Sequence, residues 1–121
     1  MKEQRLNKNV IQEKSYDFAL SIIGLYKQMK LQKEYVLSKQ LIRSGTSIGA
    51  NVQEAGAAQS RKDFISKMSI ASKEAREKNY WLRLIRDSKL LKNIEFGDYI
   101  EKCEEIIKIL TSIVKTSQKN N

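Results

Sequence analysis

No proline interrupts these 121 residues, and apolar side chains recur along most of them at alternating steps of three and four. That pairing constrains the fold more than any single motif. Steps of three and four draw one stripe along an α-helix, and proline is the residue that most reliably ends one. Ile11, Ser15, Phe18, Ile22, Leu25 and Met29, flanked by Ala19, Ile23 and Tyr26, predict a helix over about 10–29. A second is predicted over about 35–57, and Lys30-Leu31-Gln32-Lys33-Glu34 between them is short enough to force an antiparallel hairpin. Ser60 is an N-cap candidate for a third helix over 61–88, with Asp63 placed to complement its N-terminus. Phe64, Met68, Ala71, Ala75, Leu82 and Ile85 form its inward face. After a break at Lys89–Asn93, a helix over about 96–116 turns Phe96, Ile100, Cys103, Ile107, Leu110 and Val114 inward. The expected fold is all-α, an antiparallel up-down-up-down four-helix bundle forming one domain over 1–121.

The second helix holds the most unusual stretch, QLIRSGTSIGANVQE from Gln40 to Glu54. By propensity alone it reads as a loop, since Ser44-Gly45-Thr46-Ser47 and Gly49-Ala50-Asn51 are turn-type residues. By periodicity it is a helix with two stripes. Leu37, Leu41, Ile48, Val52 and Ala55 form an apolar line, and Gln40, Ser44, Ser47, Asn51 and Glu54 form a polar seam beside it. A solvent-facing stripe is normally Lys and Glu. Short hydroxyls and amides point instead to a buried or interfacial seam that fixes register.

Composition excludes several classes. With 31% charged and 40% hydrophobic residues, the chain is neither disordered nor a membrane protein, and it holds no run of about 20 apolar residues. The N-terminus lacks the apolar core of a signal peptide, and a single cysteine fits a reducing compartment, so the cytoplasm is the expected location. There is no histidine, which removes Ser-His-Asp catalysis and nearly all transition-metal sites. Cys103 reads as a core thiol, and Glu54, Glu74 and Glu77 are interleaved with Arg and Lys without forming an evident cluster. The expectation is a protein that is not an enzyme, with no cofactor and no metal.

The net charge of +9 is uneven: residues 1–59 contribute +4, residues 60–92 contribute +6, and residues 93–121 contribute −1. The third helix is the electropositive element, with Arg61, Lys62, Lys67, Lys73, Arg76, Lys78, Arg83 and Arg86 followed by Lys89 and Lys92. Such a face is the electrostatic footprint of a nucleic-acid binder, and equally of a solvated face that confers only solubility. Arg61, Lys62, Lys67, Lys73, Arg76, Arg83 and Arg86 are the candidate contacts. Without a helix-turn-helix, RNP or zinc-knuckle signature, binding is expected to be phosphate-dominated and low in sequence specificity. Tyr80, Trp81 and Leu84 exceed what one inward stripe needs, which points to an interface, or else to a wide core stripe with a half-exposed Trp. Gly45 and Gly49, four apart, offer a weak small-residue signal in the same direction.

Several of these residues recur as one pattern: Glu34-Tyr35, Gln40-Leu41-x-Arg43, Ser47-Ile48-x-Ala50-Asn51-Val52-x-Glu54, Asp63-Phe64-Ile65, Ala71 and Glu74-Ala75. It resembles the bacterial four-helix bundle family that includes proteins encoded in intervening sequences of 23S ribosomal RNA genes. It is similar as well to the accessory variability determinants of diversity-generating retroelements. The first turn lacks the proline often found there, and the glycine often following the acid is replaced by Ala55, with Gly56 one place later. The resemblance implies a homopentamer of bundles with an electropositive surface. In the retroelement branch it also implies nucleic-acid binding and partnership with a reverse transcriptase. Gln40, Arg43, Ser47, Asn51 and Glu54 carry the motif by position. Arg43 and Glu54 lie about three turns apart, so each needs a partner on another helix or another protomer. The leading expectation is a non-enzymatic oligomer that binds RNA or DNA. The alternative is a protein-interaction module with no direct nucleic-acid role.

Overall fold

The computed structural model describes residues 2–119, with side chains from Asn9 onward. It contains four helices: α1 Lys2–Leu31, α2 Val36–Gly56, α3 Arg61–Ser88 and α4 Gly97–Lys119. Among the described residues α1 packs on α2, α2 on α3, α3 on α4 and α4 back on α1, with no diagonal contact. Consecutive helices are therefore neighbours around a square, the arrangement that short connections impose. The α1 helix starts earlier than the 10–29 expected and α4 ends later than 116, since neither end carries a residue that stops a helix.

The α1 stripe is the predicted one. Ile11, Phe18, Ile22, Leu25 and Met29 are buried together with Leu41, Ile48, Val52 and Ala55 of α2 and Met68, Ala71, Ala75, Leu82 and Ile85 of α3. In α4 the stripe differs by one position. Ile106 and Ile113 are buried, whereas Ile107 and Val114 only pack against the core from one side. After Cys103, steps of three or four both continue a helical stripe. Burial runs Cys103, Ile106, Leu110, Ile113, Ser117, which turns Ile106 toward Phe18 of α1 and leaves Ile107 on the opposite flank.

The turns are built by local chemistry. Lys33 adopts φ 64°, and the bonds Glu34 N–H to Met29 C=O (2.9 Å) and Lys33 N–H to Lys30 C=O (2.9 Å) close a Schellman motif at the end of α1. The Glu34 carboxylate then accepts the Leu37 N–H at 2.7 Å at the start of α2. Ser60 caps α3 as expected, its Oγ accepting the Asp63 N–H at 3.0 Å. At the same end of the bundle as the first turn, the Gln32 amide clamps the α3–α4 connection. Its Nε2 donates to Lys92 C=O at 2.6 Å and its Oε1 accepts from Lys92 N–H at 3.0 Å.

Candidate functional site

The Gln40–Glu54 stretch is helical throughout, which settles the competition between loop propensity and helical period in favour of period. Its hydroxyls and amide bond backward along their own helix. Ser44 Oγ donates to Gln40 C=O (3.0 Å), Ser47 Oγ to Ser44 C=O (2.8 Å) and Asn51 Nδ2 to Ser47 C=O (2.9 Å). Polar groups that would otherwise favour a turn are thus satisfied within the helix. The seam faces α3: Ser47 Oγ also reaches Glu74 Oε2 at 3.2 Å, and Glu54 pairs with Lys67 at 3.1 Å. Ser44 is buried, Ser47 and Asn51 are half-buried, and Gln40 and Glu54 are exposed.

Gly45 and Gly49 serve packing within the chain. A Cβ on Gly45 would lie 2.8 Å from Ile22 Cγ2 of α1 and 3.1 Å from Lys78 Cε of α3, while Gly49 lets the Ser15 backbone of α1 approach. The space at Gly45 is filled by the residue that sequence reasoning misplaced. Lys78 is fully buried in the face that also holds Ala75 and Leu82, and its ammonium donates to the Leu41 carbonyl of α2. Burial pulls its pKa down to about 7, only partly opposed by Cys103, Glu77 and Glu74. Cys103 is the core thiol expected; its Sγ donates to Ala75 C=O at 3.2 Å, and burial pushes it up to about 12. The position of Lys78, midway between Ala75 and Leu82 in a stripe of sevens, was the available signal.

Beside the buried lysine, α2 and α3 enclose a cleft of about 290 Å³ lined by Gln40, Arg43, Ser44, Ser47, Glu74 and Glu77. It gathers three positions of the polar seam, Gln40, Ser44 and Ser47, and the neighbouring Arg43 with two acids of α3. Glu54, by contrast, lies outside it, tied to Lys67. The cleft combines one cation, two carboxylates and short polar groups, an arrangement suited to hydrogen-bonding a polar side chain of another protein.

The candidate cations of α3 do not form one face. Lys62 and Lys73, eleven positions apart, share the outward line with Tyr80. Lys67 turns toward α2, and Arg76 turns toward α4, where its Nη2 donates to Thr111 Oγ1 at 3.0 Å. Arg83 Nε donates to Asn79 Oδ1 at 2.9 Å, and Arg86 Nε to Asp87 Oδ1 at 2.7 Å. Arg61 is exposed at the helix start. The surplus apolar group also divides. Tyr80 (53%) and Leu84 (44%) are exposed, whereas Trp81 packs half-buried against the core and meets Tyr80 edge-on at 5.8 Å.

Among the described residues no helix is long and apolar enough to cross a membrane, and no group of three or more His, Cys, Asp or Glu side chains is placed to hold a metal ion. What the fold and polar seam define is an all-α, antiparallel four-helix bundle whose motif residues lie along the α2–α3 boundary. The profile of the 23S rRNA-intervening sequence proteins matches residues 7–112, and the chain belongs to that family. It is similar to a solved protein of unknown function from the S23 ribosomal protein family of Bacteroides thetaiotaomicron. The two are 48% identical over 90% of this chain and 98% of that one, with a TM-score of 0.84. No curated protein matches the chain.

Proposed function

We propose that this chain is a non-enzymatic, oligomeric scaffold that binds RNA or DNA through a basic surface with low sequence specificity. The observation that carries this reading is the concentration of +6 in residues 60–92, with Lys62 and Lys73 exposed on the outward line of α3 and, among the described residues, no ion pair on either. A polyanion binding there releases counterions, so affinity falls steeply with salt and depends little on base sequence. Fluorescence anisotropy with labelled RNA and DNA tests it. Binding should weaken by orders of magnitude between about 50 and 200 mM salt, and no binding at the lower concentration removes the hypothesis.

Assembly supports the same reading, because a closed ring repeats every basic helix around its axis. The register set by Ser47–Glu74 and Leu41–Lys78 puts exposed Leu84 level with exposed Tyr35 and Val36 at the start of α2, and exposed Tyr80 about one turn away. An apolar patch of this kind suits contact between protomers, with the homopentamer as the expected stoichiometry. It also favours the second reading, a module that docks another protein such as a reverse transcriptase. A stoichiometric protein partner that co-purifies from a native host after nuclease treatment would favour that alternative.

A further inference from the structure

We propose that a nucleic-acid phosphate backbone lies in the groove between α3 and the C-terminal half of α4, a surface distinct from the outward line of α3. This inference rests on the nucleic-acid reading above and gives it a location. The groove measures about 540 Å³, and among the described residues its charged lining consists of Arg76, Lys108, Lys115 and Lys119, with no carboxylate side chain. Two other grooves among the described residues are mixed: one holds Glu74 and Glu77, the other Asp17 and Glu105.

The net charge of residues 93–121 conceals this surface. The acids of α4 and its approach, Glu95, Asp98, Glu101, Glu104 and Glu105, all precede residue 106, and none follows it. Lys108, Lys115 and Lys119 are seven and four apart, so they share one face over about 16 Å of helix. Lysines that merely complement the helix dipole act within the last turn. That accounts for Lys119, and leaves Lys108 and the Arg76 of a different helix unexplained.

Arg76 is held in place by the groove itself. Thr111 Oγ1 accepts from its guanidinium at 3.0 Å while donating to Ile107 C=O at 2.7 Å. A guanidinium held this way keeps donors directed at a phosphate. Thr111, Ser112 and Thr116 place hydroxyls between the cations, the side chains that share phosphate contacts with Arg and Lys in nucleic-acid complexes. A membrane surface is a poorer fit. A helix lying on lipid needs an unpartnered apolar face, and α4 spends its apolar face in the core. Arg83 and Arg86 are excluded from the site, since they lie toward the acidic half of α4, where Glu104 acts on Arg86.

The test compares two charge-matched triple variants of the full chain by anisotropy with a labelled single-stranded RNA. These are Lys108→Gln/Lys115→Gln/Lys119→Gln, and Lys27→Gln/Lys33→Gln/Lys39→Gln on exposed positions elsewhere. Loss of three phosphate contacts should lower affinity about a hundredfold near 0.1 M salt and reduce the salt slope by about 2, whereas the control should lose less than about tenfold. Thr111→Val, which leaves charge unchanged, should weaken binding about threefold by releasing Arg76. Equal weakening by the two triples overturns the groove while leaving the nucleic-acid reading intact, and a wild-type protein that binds no RNA or DNA overturns both. Loss of binding to phosphatidylserine vesicles, with RNA binding unchanged in the groove variant, also overturns the proposal.

Discussion

Lys78 of α3 lies against Gly45 of α2, its Cε 3.1 Å from where a β-carbon at position 45 would sit. The glycine admits the lysine stem, and the ammonium ends on the carbonyl of Leu41. A charged group is thereby placed inside a small bundle with, among the described residues, no carboxylate bonded to it, and burial lowers its pKa to about 7.

Stability should therefore rise with pH over a defined window. Lys78 titrates near 7 when folded and near 10.5 when unfolded, so between those values the unfolded chain binds the extra proton and rising pH favours folding. Its burial penalty is full below about pH 7 and gone above about 10.5. Cys103 opposes this from about pH 9, where the unfolded thiol ionises while the folded thiol stays protonated to about 12. Urea titrations should show a gain of roughly 2 kcal/mol from pH 7 to 9 and little further change to about 10.5. Lys78→Met should flatten that slope and raise stability at pH 7. A wild-type profile with no gain from pH 7 to 9 would contradict the assignment.

Two glycines in helix interiors should respond in opposite directions. Gly24→Ala meets nothing within 4 Å and should stabilise by about 0.5–1 kcal/mol through backbone entropy. Gly45→Ala drives a methyl to 2.8 Å from the buried Ile22 side chain and should cost about 1–3 kcal/mol. Thermal melts of the two variants check the sign directly, and a stabilising Gly45→Ala would refute the close packing described.

The Gln32–Lys92 clamp should act locally. Gln32→Ala removes both bonds to the α3–α4 connection, at a cost of about 0.5–1.5 kcal/mol given their exposure. Amide hydrogen exchange should accelerate around 90–95 while the helix interiors keep their protection. Uniform acceleration across the chain would show instead that the clamp supports the whole bundle.

Assembly is best probed at Leu84, because Trp81 is partly committed to the core and Trp81→Glu would confuse assembly with folding. Light scattering on the wild-type chain should return about 70 kDa for five copies of 14.0 kDa. Leu84→Glu should shift it toward monomer with its helix content intact, since an unpaired charge in an apolar contact is unfavourable. A wild-type monomer at micromolar concentration would sink the assembly argument.

The bundle, its hairpin connections and the family were legible in the sequence because a period of three and four persists across each helix and survives errors at single positions. The Ser60 cap and the thiol role of Cys103 were legible for the same reason, each following from local spacing. Periodicity gives a helix one apolar direction. It does not say which of two adjacent isoleucines faces the core; the packed bundle buries Ile106 and leaves Ile107 half-buried at its edge. Nor does a residue's charge reveal its burial: Lys78 belongs by sequence to the basic set of α3, and Gly45 of another helix makes room for it in the core. The basic groove is invisible in the sequence because it joins Arg76 to lysines more than thirty positions away, and regional net charge averages those lysines with acids at the other end of the same helix. Sequence alone determined what is periodic or adjacent along the chain. Tertiary structure decided which of those faces meet, because burial and charge clustering arise from contacts between helices.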